Sequence, residues 1–61
     1  MKQAGSVKFV DADSGDEAYV GIRYDEANVA LVVSSGDGDI EVFMSRQDAK
    51  VLLDALRTAT S

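Results

Sequence analysis

Residues 39–56 read Asp39-Ile40-Glu41-Val42-Phe43-Met44-Ser45-Arg46-Gln47-Asp48-Ala49-Lys50-Val51-Leu52-Leu53-Asp54-Ala55-Leu56, and the hydrophobic period changes in the middle of the stretch. Up to Met44 the apolar residues alternate, with Ile40, Val42 and Met44 on one side, which is the two-residue period of a strand. From Ser45 the period becomes helical: Ala49, Leu52, Leu53, Leu56 and Ala59 or Thr60 form one stripe. Ser45 suits the N-cap, since its hydroxyl can accept the Asp48 amide while Asp48 reaches back to the Ser45 amide. Asp48 also favours the positive end of the helix dipole, and Arg57 the negative end. The spacing predicts a strand over about 39–44 and a helix over about 46–59.

Working back towards the N-terminus, Val29 to Ser34 places Val29, Leu31 and Val33 on one face and Ala30 and Val32 on the other. Both faces are apolar, as suits a central strand. Ala18, Val20, Ile22 and Tyr24 alternate with Tyr19, Gly21 and Arg23 in a strand over about 18–24, and Val7 and Phe9 flank Lys8 in one over about 6–11. The connections, Asp11 to Glu17, Asp25 to Asn28 and Ser35 to Gly38, carry the Asp, Asn, Ser and Gly residues that turns use. Short connections favour antiparallel neighbours. The reading is a single α+β domain over 1–61, a four-stranded antiparallel meander with one C-terminal amphipathic helix packed on one face, in the order β-β-β-β-α.

The chain holds no cysteine and no histidine. That removes disulfides, thiolate zinc sites, imidazole-activated nucleophiles and the usual proton shuttle near neutral pH. No catalytic residue, metal site or cofactor is expected. The longest apolar stretch, Val29 to Val33, is far too short to cross a bilayer, and no apolar run follows Met1-Lys2-Gln3-Ala4-Gly5, so a cytoplasmic protein without a membrane partner is expected. Asp11-x-Asp13-x-Gly15 begins like a calcium loop, but position 6 would be Asp16 instead of glycine and position 12 would be Ile22 instead of glutamate.

Net charge is -5, from 11 acids and 6 bases. In a meander the first and third connections share one end of the sheet, which would gather Asp11, Asp13, Asp16, Glu17, Asp37 and Asp39. Like charges at that density repel unless a counterion or a basic partner relieves them, although a set of well-solvated turns would have the same composition. The sheet face opposite the helix would carry Val10, Tyr19, Val32 and Phe43, a second candidate surface for a partner or a dimer, against the alternative of scattered surface hydrophobes. Monomer and homodimer both remain open.

Two resemblances follow from these residues. The junction Ile40 to Ala49, with Leu52 and Leu56, resembles the end of the PC4 and Whirly type of single-stranded DNA binder. That family is β-β-β-β-α, dimerises and lays nucleic acid on the sheet; the resemblance implies stacking by Tyr19 and Phe43 and phosphate contacts from Lys8 and Arg23. The strands and loops that are basic in that family are acidic here, so direct nucleic-acid binding is not the leading expectation. The small size, the acidity and the acidic turns also resemble phage inhibitors of host defence, anti-CRISPR proteins among them, several of which imitate DNA charge. The resulting expectation is a non-enzymatic module that occupies a basic, nucleic-acid-binding site on another protein.

Overall fold

A computed structural model describes residues 1–61. Strands β1 (Lys2–Val10), β2 (Glu17–Tyr24), β3 (Asn28–Ser35) and β4 (Gly38–Ser45) are followed by helix α1 (Arg46–Thr60). They form one sheet in the order β1-β2-β3-β4, with every neighbour antiparallel. The α+β meander with a C-terminal helix is therefore the fold of the protein, and the doubly apolar β3 is an interior strand.

The first strand begins earlier than its hydrophobic pattern predicts. Lys2 and Gln3 pair with Tyr24 and Arg23, and the register slips between Gln3 and Gly5, leaving Ala4 as an extra residue in a bulge. Residues 2–5 carry no alternation, yet the full length of β2 offers them ladder partners, and main-chain pairing extends the strand past its apolar segment.

Register sorts the side chains into rows. On the helix side run Val7–Val20–Val33–Ile40, then Ile22–Leu31–Val42, then Tyr24–Val29–Met44. On the other side run Lys8–Tyr19–Ser34–Asp39, then Ser6–Gly21–Val32–Glu41, then Gln3–Arg23–Ala30–Phe43.

The Ser45 hydroxyl accepts the Asp48 amide at 3.0 Å and starts α1, with Asp48 in the first turn and Arg57 in the last. The reciprocal bond from Asp48 to the Ser45 amide is not made; Ser45 is still paired with Asn28 at the end of β4. Arg46 donates to the Asp25 and Glu26 carbonyls and ties the start of the helix to the β2–β3 turn. Leu52, Leu53 and Leu56 line a crevice against Ile22, Val29, Leu31 and Met44. The backbone of α1 approaches β3 and β4 only. Only Ala18, Gly21 and Ala30 are buried, and none of these is on the helix.

Candidate functional site

The β1–β2 and β3–β4 connections do lie together at one end of the sheet. Within the first, the Asp11 carboxylate turns back on its own loop and accepts the Asp13 amide at 2.8 Å and the Ser14 amide at 3.2 Å. Those two donors hold the Asp11 carboxyl below the ordinary carboxylate range, because they stabilise the charged form. The Asp11 amide donates to the Asp16 carbonyl, the Gly15 amide donates to the Asp11 carbonyl, and the Ser14 hydroxyl accepts the Asp16 amide. Gly15 takes φ +79, a left-handed conformation that glycine adopts without steric cost.

The second connection is the two-residue turn Gly36-Asp37 between the paired Ser35 and Gly38. The positive φ its composition foretells falls on Gly38, at +130, and not on Gly36 or Asp37. Gly36 serves another purpose. A Cβ there would lie 2.5 Å from Oδ2 of Asp16, so the bare glycine lets the Asp16 carboxylate rest against the neighbouring turn. Asp39 accepts the Ser34 hydroxyl at 2.5 Å. Asp13, Asp16, Glu17, Asp37 and Asp39 are all exposed, and Asp11 is half-buried. The carboxylates are spread over the surface and do not converge: no three of them form a group that could hold a metal ion.

The face away from the helix is arranged differently. The Tyr19 ring lies over Gly21, where an added Cβ would come within 2.6 Å of the phenol oxygen. Arg23 and Glu41 form an ion pair across β3, and Ala30, between Arg23 and Phe43 in register, is fully buried. Val10 and Phe43 stand at opposite corners of the sheet, with polar and charged rows between them. Tyr19 and Val32 are half-buried by their neighbours. Of the four candidate nucleic-acid contacts, Arg23 is engaged by Glu41, while Lys8 is on the β1 edge and Phe43 on the β4 edge.

The helix-side face was expected to be core, yet much of it is open to solvent. Ile40 is 61 % exposed, Leu56 55 % and Phe9 46 %. One signal for this was present in the sequence: four strands share one apolar face, but there is only one helix to cover it. A four-stranded sheet measures about 14 Å between its outer strands, whereas a helix with its side chains is about 10 Å wide.

No helix is long and apolar enough to cross a membrane. No protein-family model, curated protein or solved structure matches this chain.

Proposed function

We propose that the protein is a non-enzymatic binding module whose acidic end occupies a basic, nucleic-acid-binding site on another protein. The reading rests on one observation: the contact of Asp16 with Gly36 joins two acidic turns into a single surface held by short hydrogen-bonded loops. Duplex DNA presents about one charge every 1.7 Å of axis, and carboxylates on ordered turns can compete for the same Lys and Arg side chains. Several of the small phage inhibitors of host defence that this chain resembles imitate DNA charge, and such a role in the cytoplasm fits the charge and size of this chain.

Direct binding of single-stranded nucleic acid through Lys8, Tyr19, Arg23 and Phe43 has less support. Arg23 is neutralised by Glu41, and the Tyr19 ring is packed against the sheet, not presented for stacking.

The test is a pull-down from host lysate, followed by titration of the captured partner over a range of salt concentrations. Binding should weaken with added salt, and the combined Asp13→Asn, Asp16→Asn and Asp37→Asn variant should bind at least about tenfold more weakly, the equivalent of about 1.4 kcal/mol. Unchanged affinity in that variant would refute the charge-mimic reading. A gel shift with an oligonucleotide at low salt addresses the alternative, and no retardation is expected.

A further inference from the structure

We propose that the helix-side face of the sheet is closed by a second copy of this chain, with the partner's α1 lying over β1 and β2. Three observations point there. The first is area: a folded monomer of this mass exposes about 3,800 Å². This 6.5 kDa chain exposes 4815 Å². The excess, about 1,000 Å², matches what each partner buries in a stable dimer, about 800 Å² at standard size and more where the partners depend on each other to fold. The radius of gyration agrees, at 12.5 Å where a compact domain of this length has about 10.5 Å.

The second observation is what the face lacks. Between Gly5 and Met44, no strand residue on the helix side is charged. Elsewhere the chain is strongly acidic, so a partner seated here meets no charge to pair with and must itself present an apolar, uncharged surface. A second copy presents such a surface in its own uncovered strip and in the half-exposed Leu53 and Leu56 of its helix, and a two-fold axis makes one patch serve both chains.

The third is the shape of the uncovered area. Helix α1 approaches β3 and β4, leaving Val7 and Phe9 of β1 bare on the same face. The strip left open, over β1 and β2, is two strands or about 10 Å across, which is about the width of a helix. Each chain also offers a helix whose own leucines remain half-exposed, so rotation about the two-fold lays the helix of either copy on the open strip of the other. With only three buried residues, the isolated chain has almost no interior of its own, and a copy of itself is present whenever the chain is made.

Sedimentation equilibrium on the full chain should give twice 6.5 kDa, with a thermal midpoint that rises with protein concentration. A mass of 6.5 kDa with a midpoint independent of concentration would overturn the proposal, as would a monomer that needs an unrelated protein to fold. The face is located by cross-linking, which the absence of native cysteine makes clean. Chains carrying Val7→Cys mixed with chains carrying Leu56→Cys should be joined by a short bismaleimide, whereas Val10→Cys mixed with Phe43→Cys should not. The reverse pattern in variants that keep the wild-type circular dichroism would place the interface on the other face and refute the assignment.

Discussion

The helix side of this sheet carries far more apolar residues than the face away from it, yet it is the helix side that lies open. Away from the helix, small residues sit beneath large or charged ones: Gly21 beneath Tyr19, and Ala30 beneath the Arg23–Glu41 pair. The centre of that face is closed by its own side chains, and of its large apolar residues only Val10 and Phe43, at its corners, stay exposed. On the helix side, Val7, Val20, Val33 and Ile40 stand in a row with no charge among them, and a single helix covers half the width. Hydrophobic content alone does not decide whether a surface is an interior; what covers it does.

Adjacent residues offer the sharpest way to break the comparison. Val42 points to the helix side and Phe43 to the other, and they are 41 % and 62 % exposed in the single chain. If the helix side is an interior of the assembled protein, Val42→Lys buries an unpaired charge and should cost about 3 kcal/mol or more. Phe43→Lys should cost about 0.5 kcal/mol or less. Urea unfolding of both variants at one protein concentration makes the measurement, and equal losses would mean that the faces are equivalent.

A second, smaller effect tests the closure of the other face. Gly21→Ala pushes its methyl into the Tyr19 ring and should destabilise by about 1 kcal/mol despite the better strand propensity of alanine. It should leave the oligomeric state untouched. The Arg23–Glu41 pair comes next: with both side chains partly in water, a double-mutant cycle with alanine should return a coupling of about 0.2–1 kcal/mol, shrinking in high salt.

Acid should distinguish the faces least, because the two carboxyls with shifted affinities both sit in turns. Asp25 accepts the Asn28 amide at 2.8 Å and the Ala27 amide at 2.9 Å, and these bonds hold it below its ordinary value, as the corresponding bonds do for Asp11. A carboxyl whose folded value is depressed contributes stability that is fully present above its unfolded value, near 3.8, and lost as pH falls through the folded one. Asparagine keeps the accepting oxygen but cannot titrate. The Asp11→Asn, Asp25→Asn double variant should therefore flatten the loss of stability below pH about 4 in acid unfolding curves.

Much of the fold is legible in local chemistry. The switch of period at Ser45, the doubly apolar β3 and the Asp and Gly residues of the turns each follow from short-range rules, and the elements form where those rules put them. The start of β1 does not, because Lys2 to Gly5 are ordered by the ladder that β2 offers and not by their own pattern. The acidic end is readable as composition plus meander topology; the contact of Asp16 with Gly36 that unites its two turns depends on three-dimensional spacing that no period encodes. Periodicity likewise says which residues share a face, but it is silent on how wide that face is relative to the helix laid upon it.

The bulge at Ala4 bears on how large an assembly this chain can make. A sheet with two free edges could add strands from further copies without limit, and β1 and β4 are both such edges. Ala4 interrupts the row of outward main-chain groups on β1, and Lys2 and Lys8 along that strand would repel the same residues of a second β1 laid beside it. Pairing of β1 with another β1 is thereby discouraged, while stacking through the uncharged face uses up its own surface after one addition. The proposed pair, once formed, leaves no second uncharged face to recruit a third copy.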